Sequence, residues 1–361
     1  MRTTVYFATN RQANPQATDP AERFGAAMAP PGQGRLCWGR AFVEDTDPDP
    51  AVLRTGRIDR IEGVSGDFLS QDMQDDILNS GRNLLFFLHG FANSFADAIS
   101  RAAFNREWLA ASGRTDADCA VIAFTWPSPG LVVNPGDVLP GVALSLFSLL
   151  GFALSRELRS PLAHRYLEDQ ASTRASGTDL AAALDALAPL LAAARAQGRR
   201  IFLLGHSMGH VALRGALDAW RAAHRPPQLL FDQAVLAAAD AEADIGGQAP
   251  PWLVAMPAWS AQTSLYLNTE DQILWLSEQV NGRPRLGEKG PAERGDALLF
   301  PPERVRFVEC GRLRDRGPGQ GPDATHQYYR RIPEVRDGIA LALAGEAAPG
   351  EVVLAPLPAI A

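Results

Sequence analysis

Gly205-His206-Ser207-Met208-Gly209 carries a serine hydroxyl with a glycine two positions away on either side. The apolar run Ile201-Phe202-Leu203-Leu204 leads into it, and residues 211–217 have the composition of a helix. Strand, sharp turn on serine, then helix is the setting of a nucleophile elbow. The flanking glycines have a physical reason, since a side chain there would collide with the turn around a serine in a strained backbone conformation. Such a turn lifts the Ser207 hydroxyl clear of the sheet. It also aims the Met208 N–H, at a helix N-terminus, toward the same point. A glycine-rich turn with an incidental serine is the plain alternative, and the flanking strand and helix argue against it.

A serine hydroxyl needs a base to become a nucleophile, usually a histidine oriented by a carboxylate. In this arrangement the chain order is serine, acid, histidine. Three histidines follow Ser207. His210 is too close in sequence to reach back over the hydroxyl, and His224 sits in the charged, solvated segment 220–226. His326 follows the last expected strand in a loop before Gln327-Tyr328-Tyr329, where a sheet-edge loop delivers an imidazole. For the acid, Asp271 and Asp240 each follow an apolar run, at carboxyl ends of expected strands where such sheets gather ligands. Asp271 comes first because the acid usually follows a later strand. Asp240 is the alternative acid, and Glu270 a further one.

The first donor for a developing oxyanion is the Met208 amide. The second should come from the loop after an early strand, and Leu88-His89-Gly90-Phe91 fits, with Phe91 offering its N–H and Gly90 allowing close approach. Each such donor is worth about 3 to 4 kcal/mol of barrier. His89 reads as a brace for this loop. His89, Gly90, Trp126 and His206 are expected to border the substrate pocket.

Around these residues the pattern is α/β. Residues 83–88 and 119–124 are continuous apolar runs, as for strands covered on both faces. Residues 3–9, 36–44, 200–204, 233–238, 263–267 and 305–309 add further strands. Residues 67–79, 96–110 and 178–197 read as helices, the last with Thr178 as N-cap and Gly198 just past its end. Residues 10–35 read as an irregular surface segment. Strands alternating with helices predict a mostly parallel central sheet with helices on both faces. The expected organisation is one domain over 1–361, with an apolar cap insertion at 129–165. Within it, residues 138–155 carry no charge. They are read as a cap over the site mouth, with a core helix or a membrane-surface contact as alternatives.

With 361 residues, 46% of them apolar, the chain can bury a large core. Its net charge of −7 argues against a nucleic-acid partner. Cys37, Cys119 and Cys310 lie far apart, giving neither a zinc spacing nor a disulfide framework, and no metal site is readable. The first ten residues lack a secretory h-region. A cytoplasmic location is the expectation.

The chain resembles the α/β-hydrolase superfamily and, more narrowly, a bacterial family of α/β hydrolases of unknown function regarded as esterases or lipases. The segments that carry the likeness run in order along the chain. They are Tyr6-Phe7-Ala8-Thr9-Asn10-Arg11, Phe87-Leu88-His89-Gly90-Phe91 with Ser94-Phe95-Ala96-Asp97-Ala98, and Phe124-Thr125-Trp126-Pro127-Ser128. Tyr166-Leu167-Glu168-Asp169, the elbow, Ala237-Ala238-Ala239-Asp240, residues 265–271 with Arg285-Leu286-Gly287, and His326-Gln327-Tyr328-Tyr329 follow. The resemblance implies the α/β-hydrolase fold, a triad of Ser207, Asp271 and His326, and no cofactor. The stretch between Ser128 and Tyr166 departs from the family pattern in its length. A serine hydrolase acting on small or lipid-like carboxylic esters is the leading expectation. Thioester or amide cleavage by the same triad, and a non-catalytic binding protein on a hydrolase scaffold, are the alternatives.

Overall fold

The computed structural model describes residues 1–32, 35–128, 161–247, 249–315, 317–318 and 322–355. The apolar insertion expected at 138–155 lies outside them. A ten-stranded sheet forms the centre. Its strands are β1 (Thr3–Thr9), β4 (Cys37–Glu44), β5 (Arg57–Ser65), β6 (Asn83–Leu88), β7 (Cys119–Thr125), β8 (Ile201–His206), β9 (Phe231–Ala237), β10 (Ser260–Leu267), β11 (Val305–Glu309) and β12 (Glu351–Val353). Short β2 (Arg11–Ala13) and β3 (Phe24–Met28) pair separately. The spatial order is β12-β11-β10-β9-β8-β6-β7-β1-β4-β5. Every pairing from β12 to β1 is parallel, and β4 and β5 extend that edge antiparallel.

Side-chain alternation sorts the core into two layers. Leu84, Phe86 and Leu88 of β6 face one way, onto Leu180, Leu184, Leu187 and Leu191 of the Gly177–Ala196 helix and Leu213 and Leu217 of the Gly209–Ala222 helix. Leu85 and Phe87 face the other way, with Phe95, Ile99 and Ala103 of the Phe95–Ala110 helix and Val335 and Ile339 of the Pro333–Ala344 helix. Both faces are covered, which explains why the central strands read as unbroken apolar runs. The Gly177–Ala196 helix is long and apolar enough to cross a membrane, yet its leucine face is packed on this sheet.

Two readings need correction, and one strand had no reading. Residues 10–35 are not wholly irregular: β2 and β3 pair, with the Arg11 side chain buried and Phe24 in the core. Strand β5 lacks an apolar signature because it is an edge strand with charged residues, and a register shift against β4 breaks its alternation. Finally, the long helix starts one residue before Thr178, so Ser176 is at the N-cap position.

The chain runs from β6 to β7 on one side, then crosses back to β8 on the other. The change of direction falls between β6 and β8, the place in such sheets where ligands gather at the carboxyl ends of the strands. Ser207 follows β8 there, and the His89–Asn93 loop follows β6 beside it.

Candidate active site

Ser207 is the first residue after β8, and its φ of 52° lies in the left-handed region. Such a conformation costs a non-glycine residue about 1–3 kcal/mol and persists only where its surroundings fix it. Here the Ser207 N–H donates to the Ala237 carbonyl (3.1 Å). Its own carbonyl accepts from the Asp240 amide (3.1 Å), the His210 amide (3.2 Å) and His210 Nδ1 (2.8 Å). Ala92 (φ 53°) and Ala238 (φ 48°), from the neighbouring loops, are strained in the same way. Strain thus gathers at the carboxyl ends of β6, β8 and β9.

The glycines follow from contact distances. A Cβ on Gly209 would lie 2.6 Å from the His89 carbonyl, and one on Gly90 2.9 Å from Ser207 Cβ. Glycine is what lets the two loops meet at the serine.

Asp271 and His326 are joined directly. His326 Nδ1 lies 2.8 Å from Asp271 Oδ2, with both side chains buried. The other carboxylate oxygen, Oδ1, caps the Gln272–Asn281 helix by accepting from the Ile273 (3.0 Å) and Leu274 (2.9 Å) amides. One residue therefore ends a turn, starts a helix and orients an imidazole. Burial raises the Asp271 carboxyl above its ordinary value, while His326 and the two amides pull it back. The nearby loops are tied to each other: Asn268 Nδ2 donates to the Thr325 carbonyl (2.7 Å) and the Gln272 amide to Thr325 Oγ1 (3.2 Å). Tyr328 anchors the other side of His326, donating to the Tyr266 carbonyl (2.8 Å) and accepting from the Ala238 amide (3.0 Å). Asn268 and Tyr328 lie in segments that carry the family likeness, but no periodicity reveals such tethers.

His326 also meets the elbow. The His206 ring, one residue before Ser207, sits 4.8 Å from the His326 ring and 4.7 Å from that of Tyr329. Burial and then the neighbouring His326 charge push His206 well below the usual imidazole range. Burial also takes His210 down to about 4. Both are neutral near pH 7.

Among the described residues, neither the Phe91 nor the Met208 amide has a hydrogen-bond partner. The Phe91 loop is turned by side chains beneath it. His89 Nδ1 donates to the Gly90 carbonyl (2.8 Å), and Nε2 accepts from the Trp126 amide (3.3 Å), an assignment fixed by these partners. Burial holds this ring neutral. Asn93 Nδ2 donates to the Gly90 (2.9 Å) and Phe91 (2.7 Å) carbonyls. In a trans peptide, C=O and N–H point opposite ways. Turning the Gly90 carbonyl inward therefore turns the Phe91 N–H outward.

Two readings change here. Asp240 is not at His326. It accepts from Tyr166 Oη (2.6 Å) and Ser277 Oγ (2.6 Å), with Arg285 3.7 Å away. The β9 loop turns Asp240 beneath the elbow, whereas the β10 loop carries Asp271 to the histidine. Glu270 pairs with Arg314 at the surface. His89 and Trp126 do not border a pocket: they stack at 3.5 Å, wholly buried beneath the loop. His206 is buried between rings, so Gly90 is the one of the four set against the serine. Beside the two amides, Phe91, Tyr166, Met208, Val211 and Val280 form a small apolar cluster. A cleft of about 710 Å³ lined by Arg82, Arg106, Arg114 and Asp118 opens at the amino ends of β6 and β7, opposite the serine.

No group of three or more His, Cys, Asp or Glu able to hold a metal occurs among the described residues. No curated protein and no solved structure matches the chain. A family model described as alpha/beta hydrolase of unknown function (DUF900) matches residues 67–308, which include Phe91, Ser207 and Asp271 but end before His326. That match spans most of the chain and, with the sheet order and the elbow, identifies it: the protein belongs to this alpha/beta hydrolase family.

Proposed function

We propose that the protein is a serine hydrolase that cleaves carboxylic esters through an acyl-enzyme on Ser207. The observation that carries this reading is the Asp271–His326 pair at 2.8 Å, its imidazole 4.8 Å from the ring of His206, the residue before a strained serine. With Nδ1 held by Asp271, His326 Nε2 takes the Ser207 proton as Oγ attacks the ester carbonyl. The tetrahedral oxygen accepts from the Phe91 and Met208 amides, which need no reorientation to receive it. Collapse expels the alcohol, protonated by His326, and leaves the acyl group on Oγ. Water, deprotonated by the same nitrogen, then releases the acid and restores the serine.

The apolar cluster of Phe91, Tyr166, Met208 and Val211 supports an apolar acyl chain in the substrate. The chemistry is complete in side chains and backbone amides, so the reading requires no cofactor. The test is hydrolysis of p-nitrophenyl esters of increasing chain length by the wild type and Ser207→Ala. Turnover that disappears in the folded variant supports the reading; turnover that survives the substitution removes it.

A further inference from the structure

Two segments with no part in the chemistry above end at the same loop: Asn10-Arg11 at the start of the chain, and Asp169 on the Pro161–Ala175 helix. Asp169 Oδ2 accepts from the Ala92 amide (3.0 Å) and Ser128 Oγ (2.6 Å). Arg11 Nη2 donates to the Asn93 carbonyl (2.8 Å), and Nη1 to the Ser128 carbonyl (2.9 Å). Asp169 is 2% exposed and Arg11 1%.

Burying two charges is costly, and an apolar pair of similar volume would often serve stability better. What these two hold is the backbone between residues 91 and 93. The peptide joining Phe91 to Ala92 is gripped at both ends, its carbonyl by Asn93 and its N–H by Asp169. The preceding peptide, which carries the Phe91 N–H, is gripped at its carbonyl by His89 and Asn93. The two planes meet at the Phe91 Cα, and Ala92, which follows the second plane, is the left-handed residue. Without Asp169 the second plane loses one of its two anchors, and Ala92 can relax toward the ordinary region. The Phe91 Cα would then be held firmly from the Gly90 side only, and the Phe91 N–H would lose its fixed distance to the serine.

We propose that Asp169, supported by Arg11, is a positioning residue that fixes the Phe91 amide as an oxyanion donor by locking the Phe91–Ala92 peptide plane. The proposal rests on the hydrolase reading above for its kinetic consequence. Its geometric part stands apart from it.

The experiment compares the wild type, Asp169→Ala and Asp169→Asn. End-point titration with a fluorophosphonate counts competent sites, and turnover of p-nitrophenyl butyrate is expressed per titrated site. Hydrogen exchange is followed in peptides covering residues 89–95. Asp169→Ala should lower per-site kcat by on the order of 10²-fold, with KM little changed, because the lost interaction belongs to the transition state. Exchange at 91–93 should accelerate. Asp169→Asn retains an acceptor oxygen and should recover part of both. If Asp169→Ala is not recovered folded, Asp169→Asn carries the same comparison. An unchanged per-site kcat, with only the number of competent sites reduced, overturns the proposal, and so does unchanged exchange at 91–93. A wild type inert to both probes would defeat the hydrolase reading instead; exchange alone would then decide whether Asp169 holds the loop.

Discussion

Asp271→Asn separates the two jobs of that residue. The Ile273 and Leu274 amides both point at Oδ1, so the asparagine carbonyl must take that place to keep the helix cap. Its NH2 then stands where Oδ2 accepted from His326 Nδ1. Two donors cannot share that contact. The imidazole responds by carrying its proton on Nε2, and it no longer accepts one from Ser207. In a serine protease triad this wrong tautomer costs about 10⁴-fold in kcat, or about 5.4 kcal/mol of barrier. The cap survives, so stability should change little. Asp271→Ala loses the cap as well and should be about 1 kcal/mol less stable than Asp271→Asn. Asp240→Asn is the control, because its oxygens serve Tyr166 and Ser277 and leave His326 alone. The assay is p-nitrophenyl butyrate hydrolysis per folded molecule, beside urea unfolding. Asp271→Asn within tenfold of wild type, or Asp240→Asn falling as far, would refute the assignment of the acid.

Gly90→Ala would press a methyl to 2.9 Å from Ser207 Cβ and 3.0 Å from His206 Nδ1; kcat should fall on the order of 10²-fold at about 1–3 kcal/mol in stability, and undiminished turnover would show that the loops have room to spare. Tyr166→Phe removes the hydroxyl that donates to buried Asp240 and should cost about 1–3 kcal/mol by urea unfolding, while the ring still packs on Phe91. Acid stability tests the buried histidines. His210 is lowered to about 4, and His89 and His206 also lie well below the usual range. Below the unfolded value of about 6.5 the unfolded chain binds more protons at these sites, so their contribution, complete above that pH, is lost as pH falls toward the folded values. For His210 alone the full loss is about 3 kcal/mol. Buried Asp169, Asp271 and Glu288, raised above the usual carboxyl range, act in the opposite sense toward the acid end. The urea midpoint should therefore drop from pH 6.5 downward, and a flat profile through pH 5.5 would contradict the neutral histidines.

The serine was legible because an elbow imposes local demands, with glycines at fixed offsets after a buried strand. His326 was legible by chain order. Between Asp271 and Asp240 chain order offered only a preference for Asp271, since both follow apolar strands in acidic loops. Only the paths of the β9 and β10 loops decide it. Asp169 and Arg11 lie in segments that carry the family likeness, yet the sequence shows no role for them, because their bonds join residues 77 and 82 positions apart. His89 and Trp126 looked like pocket residues because aromatic groups near a site suggest one. Their rings turn inward because His89 finds partners for both nitrogens beneath the loop. Strand β5 escaped notice for the opposite reason, since an edge strand shows solvent-facing charge rather than an apolar run.

The central claim is that residue 207 is the nucleophile and that its hydroxyl is activated in place. Incubation of the wild type and Ser207→Ala with a fluorophosphonate, followed by intact-mass measurement and peptide mapping, addresses it most directly. One adduct per wild-type chain, mapped to the serine of Gly205–Gly209 and missing from the variant, is the predicted result. A folded wild type that takes up no label, or takes it up elsewhere, would contradict it.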